Sequence, residues 1–201
     1  MHPGTRIQEL IVAGESTPCY DGQNYFDTDH TEGDSGTQDN DLTRDIASDT
    51  APTADEMVDS VLKCVQAIMG FKDDEGTELN MNTKDFLVCA PLAYMSPLLK
   101  ALNAELIGGG NTNVMQGSRA GINFTGQLLP RVTGSKVYVF AQRASMMGSA
   151  FIWQVFNDVA PEVLGRTSEH CKLNDELLFL VKARYNLGYG RWQDACLMTH
   201  T

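Results

Sequence analysis

The chain has 201 residues, with 15 Lys and Arg against 26 Asp and Glu and a formal charge of −11, yet Tyr20–Asp59 alone holds twelve acids and one base, Arg44. Its 42% apolar content and its length suffice for a substantial buried core, so this is an ordinary globular composition with a locally acidic segment. No Lys/Arg cluster offers the basic face that phosphates require, and the longest apolar run, Phe86–Met95, is far short of the roughly 20 residues of a bilayer helix, which excludes sequence-specific nucleic-acid binding and a membrane span.

Residues 5–13 spell an amphipathic helix, with Ile7, Leu10 and Ile11 on one face and Gly14 as its stop. Beginning so close to residue 1, it reads as the tail of a longer element. From Thr17 to Pro52 periodicity vanishes and Asp, Thr, Ser, Gly and Asn dominate, which predicts a long loop, except for the aromatic knot Cys19–Phe26. A helix is predicted over 54–69: Thr53 and Glu56 make a capping box, and Met57, Val58, Val61, Leu62, Val65 and Ile68 recur at helical spacing. Phe86–Ala90 reads as a short buried strand. Ser96 before Pro97 reads as the cap of a helix running through Leu98, Leu102 and Leu106 to Gly108. After the triple glycine, strands are predicted at 121–126, 136–142, 150–156 and 177–185, giving a C-terminal half of long antiparallel strands. The fold class is therefore α+β.

The candidate chemistry is thin. Gly108, Gly109, Gly110, Asn111, Thr112 and Asn113 resemble a phosphate loop only in glycine content, since no Lys-Ser/Thr follows and the run closes a helix instead of opening one. A surface loop is the better reading. Asp27–Gly33 has the oxygen density of a calcium loop, but Glu32 and Gln38 stand where such a loop wants glycine and glutamate. The five cysteines (Cys19, Cys64, Cys89, Cys171, Cys196) are odd in number and widely spaced, which fits a reduced chain made in a cytoplasm. His170 and Cys171 are neighbours, a poor arrangement for aiming one side chain at the other. No nucleophile elbow, zinc-protease or dinucleotide motif is present, so the expectation is a protein that is not an enzyme and carries no cofactor.

Certain strings go further. His2-Pro3, Glu9-Leu10-Ile11, Gly14 and Cys19-Tyr-Asp-Gly-Gln-Asn-Tyr-Phe-Asp-Thr-Asp-His30 resemble the middle of Mu-type phage major head subunits. Phe86-Leu-Val-Cys-Ala-Pro91, the 108–113 run, Asn123–Leu129, Lys182-Ala-Arg184 and Gly188-Tyr-Gly-Arg-Trp-Gln193 follow in that family's order. Three departures stand out: Thr31 replaces the proline usual after Asp-His, Asp85-Phe86 replaces the usual histidine, and no N-terminal arm is seen.

The resemblance implies a Hong Kong 97-type capsid fold with axial and peripheral domains, lacking its N-terminal part. It places residues 1–30 in the peripheral domain, 31–51 in an acidic flexible loop, 52–130 in the axial domain and 131–201 in the peripheral strands. The family's arm, extended loop and most of its spine helix would precede residue 1, so the chain alone is expected to fold but stay monomeric or in small oligomers. The function implied is a phage or prophage shell subunit, made in the bacterial cytoplasm and self-assembling as hexamers and pentamers around DNA. Scaffold or decoration partners are possible in such a shell. The loop Gly108–Asn113 would lie at a contact between copies. A second reading is a cation-dependent binding module built on the acidic loop.

Overall fold

The computed structural model describes residues 3–80, 82–118, 121–142, 149–165 and 167–201. His2 of the opening His-Pro string lies outside them. The described chain forms two units, residues 1–150 with 189–201, and residues 151–188.

The larger unit is organised by a five-stranded mixed sheet. Its strands are β3 (Asp41–Arg44), β4 (Asp85–Pro91), β7 (Asn123–Leu129), β8 (Lys136–Gln142) and β11 (Ala195–His200), in the order β3-β11-β8-β4-β7. The inner pairs β11–β8 and β8–β4 are antiparallel, while the outer pairs β3–β11 and β4–β7 are parallel. The predicted all-antiparallel C-terminal half is thus corrected at β7, which runs beside β4 with Phe86 opposite Phe124. Short ladders β1 (His30–Thr31) with β2 (Thr37–Gln38), and β5 (Leu106–Ile107) with β6 (Asn111–Thr112), complete the unit's strands.

Helix α1 (Pro3–Ala13) matches the first predicted helix. Gly14 ends it for a packing reason as well, since a Cβ there would come within 2.7 Å of the Phe26 ring. Helix α2 (Ala54–Gly70) begins as its capping box requires: Thr53 accepts from the Glu56 N–H at 3.2 Å and Glu56 accepts from the Thr53 N–H at 2.8 Å. Its apolar stripe, Met57, Val58, Val61, Cys64, Val65 and Ile68, is buried against β8 and β11. Helix α3 (Met95–Asn103) starts one residue earlier than Ser96 and ends well before Gly108. A 3₁₀ turn at Leu92–Tyr94 feeds it directly, leaving Ser96 inside the first turn and no side-chain cap. Leu106, predicted as helical, pairs instead with Thr112 in the β5–β6 ladder.

The acidic stretch, predicted as a loop, contains β1, β2 and β3, and β3 joins the central sheet. Local periodicity is absent because the pairing partners lie some 150 residues away, at Leu197–His200. Asn40 ties the region together. Fully buried, it donates from Nδ2 to Tyr25 O at 2.9 Å and to Trp192 O at 3.3 Å, and its Oδ1 accepts from Asp27 N at 2.9 Å. Beside it the His30 ring stacks on Trp192 at 4.1 Å and 8°, and Tyr25 stacks on Tyr189 at 4.5 Å. The two strings that carry the family resemblance most specifically therefore pack on one another. Gly190 belongs to the same contact, for a Cβ there would meet Ser149 O at 1.9 Å.

The smaller unit is a two-stranded ribbon, β9 (Phe151–Leu164) with β10 (Leu178–Tyr189), and a short helix α4 (Glu169–Asn174) lies between them in sequence. Both strands are longer than their predicted ranges.

Two outcomes follow from this packing. Replacing Ile68, which is wholly buried, by Ala should lower unfolding stability by about 2–5 kcal/mol, while Lys63→Ala on the exposed face should be nearly neutral by denaturant titration. Burial on β3, with the Glu15 and Asp39 carboxylates near it, pushes the Asp41 carboxyl up to about 6. The folded state then holds this proton more tightly than the unfolded chain, so the contribution of Asp41 to stability is fully present at low pH and is lost as pH rises through about 6. Asp41→Asn should therefore raise the Tm at pH 7 and leave it nearly unchanged at pH 4, as thermal melts at both pH values will read.

Candidate assembly surfaces

Residues 108–113 do not form one exposed loop. Gly108–Thr112 close the β5–β6 turn, where Gly109 (φ 69°) and Gly110 (φ 86°) take the left-handed backbone that glycine tolerates. Gly108 N–H donates to Asp55 Oδ1 at 3.0 Å, and Asn111 Nδ2 donates to Gly108 O at 3.0 Å, so the turn is braced against the first turn of α2. Asn113 differs from its neighbours. It is fully buried, donating to Ala101 O at 2.7 Å and Ala104 O at 2.9 Å and accepting from Met115 N at 3.0 Å, so it satisfies the carbonyls at the end of α3. Of the six loop residues, five are available for contact and Asn113 is part of the interior.

Elements near the turn in sequence carry exposed apolar groups, among them Leu106, which the sequence placed on a helix. Leu92 in the 3₁₀ turn and Met95 and Leu99 on α3, with Leu106 and Val114, are between 43% and 58% exposed. In the sequence α3 reads as a core helix, and only its buried partners Leu98 and Ala101 follow that pattern. The partly apolar outer stripe was legible but was counted as core.

The ribbon offers the second surface. Alternate residues of a strand share a face, and one face carries Trp153, Val155, Val159 and Val163 on β9 with Phe179 and Val181 on β10. These side chains are 48–71% exposed. The opposite face is mixed: it carries exposed Phe156 and Ile152 together with the Lys182–Glu162 pair at 3.3 Å and the Arg184 guanidinium 5.6 Å over the Phe156 ring. A stack of Trp153 on Tyr185 at 5.0 Å fixes the apolar face. Two-stranded ribbons are marginal in water, and an apolar face of this extent calls for a covering surface.

Comparison with known proteins bears on this arrangement. Residues 1–56 match the sequence model of the family described as Mu-like prophage major head subunit gpT. The structure of the bacteriophage PhiM1 mature capsid asymmetric unit superposes with a TM-score of 0.52 at 12% identity, over 98% of this chain and 60% of that one. The fold is that of a phage capsid subunit. The procapsid of bacteriophage JBD30 also matches, with a TM-score of 0.41 and 17% identity, over 100% of this chain and 40% of that one. The chain thus spans 40–60% of the length of these two capsid chains. No curated protein matches the sequence. The Hong Kong 97-type expectation for the fold stands with these findings.

The remaining chemical candidates are accounted for by packing. Ser60 Oγ and His200 Nε2 approach to 2.8 Å, but both residues are buried, Ser60 Oγ donates to Glu56 O at 2.7 Å, and His200 Nδ1 faces the Tyr94 hydroxyl at 3.2 Å. The pair fastens the end of β11 to α2. His170 Nδ1 lies 3.3 Å from Asn174 Nδ2, while its Nε2, 3.8 Å from Glu176, has no hydrogen-bond partner among the described residues. The cation-module reading of the acidic loop is not supported. Asp27 accepts from Asn24 N at 3.2 Å and Thr28 N at 2.8 Å, and Glu32 accepts from Gln193 Nε2 at 3.1 Å. Those carboxylates serve turns and side chains instead of converging.

The contrast within the 108–113 run is measurable. Asn113→Ala should cost about 1–3 kcal/mol because it strands buried carbonyls, whereas Asn111→Ala should stay within about 0.5 kcal/mol. Urea denaturation of both variants reads the difference.

Proposed function

We propose that this chain is a structural subunit of a Mu-like phage or prophage head, assembling with copies of itself into a closed shell around DNA. The observation that supports this reading most is the conjunction of a capsid fold with exposed apolar side chains on the ribbon and around α3. The acidity of the 20–59 segment suits a surface that packaged DNA must slide past without being gripped. In this role the protein needs self-complementary edges and no catalytic residues.

The finer parts of the reading follow. The shell is built of hexamers and pentamers, is assembled in the bacterial cytoplasm, and takes scaffold or decoration proteins as its partners. By the resemblance, residues 52–130 belong to the axial domain and residues 1–30 and 131–201 to the peripheral one. The Gly108–Thr112 turn then reaches toward a symmetry axis, where the small residues permit close approach between copies.

Sedimentation velocity tests the reading. The protein should self-associate as concentration rises, and Phe179→Lys with Val181→Lys on the ribbon should weaken association about tenfold or more, a loss of at least 1.4 kcal/mol, with an unchanged Tm. Association that is equally strong with both lysines in place contradicts it.

A further inference from the structure

A different set of donors gathers where the turn at 19–23 meets β1. Cys19 N–H donates to Gln23 O at 2.8 Å and Gly22 N–H to Cys19 O at 3.2 Å, a tight turn made possible by Gly22 at φ +90°. Within that turn the Cys19 thiol donates to Asp21 Oδ1 at 2.9 Å, so both side chains lie on one side of it. His30 Nδ1 stands 2.6 Å from Asp21 Oδ2, and its ring is fully buried and clamped by the stack on Trp192. One donor atom from each of Cys19, Asp21 and His30 falls within 4.8 Å of the other two, the one such group of three among the described residues.

We propose that Cys19, Asp21 and His30 bind a divalent transition metal of the zinc class, with water as the fourth ligand. The donor types are those zinc prefers, one thiolate, one imidazole and one carboxylate. Bond lengths of about 2.0–2.3 Å place tetrahedral donors roughly 3.3–3.8 Å apart, so the short contacts to Asp21 widen by roughly 0.6–0.9 Å as the ion replaces the hydrogens within them. Charge balances: a thiolate and a carboxylate neutralise a divalent ion, so the buried site carries no net charge. On binding, the Cys19 thiol proton leaves to solvent and the imidazole proton is carried on Nε2; no electrons are transferred. Among the described residues His30 Nε2 has no hydrogen-bond partner and can take the ring proton, while the ion replaces the contact of Nδ1 with Asp21 Oδ2. Gln23 N–H, 3.1 Å from Asp21 Oδ1, holds the carboxylate in place from outside. The ion would pin the 19–23 turn to β1, whatever the assembly state of the protein.

Cobalt(II) titration of the reduced protein tests this directly. An equimolar, saturable thiolate-to-cobalt charge-transfer band with tetrahedral d–d absorption is expected, displaced by zinc, together with a raised Tm. Cys19→Ser should abolish the charge-transfer band while its circular dichroism stays native, and Cys171→Ser should keep it. No band in excess cobalt, or a band that survives Cys19→Ser, overturns the proposal.

Discussion

One buried side chain decides how the larger unit closes. Asn40 bonds to Tyr25, Asp27 and Trp192 through its amide, while its own carbonyl accepts from Leu197 N at 2.7 Å. It therefore joins residues far apart in sequence at the point where β3 enters the sheet beside β11. Each polar atom of the amide has a partner, which is the condition for holding such a group in an apolar interior. The His30–Trp192 and Tyr25–Tyr189 stacks then fill the space around it. The sequence strings that resemble capsid subunits most closely are the walls of this joint, which makes them a signature of this architecture.

The same joint explains how a segment so poor in apolar residues acquires a fixed path. Its acids are used as acceptors: Asp27 and Asp39 receive backbone N–H groups, and Glu56 caps α2 while also accepting from Ala47 N at 3.1 Å. Its single base, Arg44, reaches from β3 to Glu56 O at 3.1 Å and Asp59 Oδ2 at 2.9 Å, tying the segment to α2. Hydrogen bonding and one long-range strand pair here do what hydrophobic burial does for α2.

What was legible in the sequence divides along this line. Helix α2 and its capping box, the buried strand β4 and the capsid resemblance were all readable, because each rests on local spacing or on a contiguous string. Strand β11 was not, since Ala195–His200 is buried on both faces and shows no alternation. The parallel pairing of β7 with β4 is equally silent, as register between distant strands leaves no local mark. Asn113 looked like the end of a flexible run, and only the fold reveals the carbonyls it satisfies. The gathering of Cys19, Asp21 and His30 required a turn and a ladder that the sequence did not specify.

The surfaces left open are as informative as the interior. A buried joint and a capped helix give a stable body, and the apolar side of the ribbon and the outer stripe of α3 face outward from their own units. The account holds that these faces are covered by other copies of the chain. Hydrogen–deuterium exchange on dispersed and self-associated protein measures this most directly. Association should slow exchange in 151–164, 178–187 and 106–112 while the central sheet stays protected in both states. Equal, rapid exchange of those segments in both states would contradict the account.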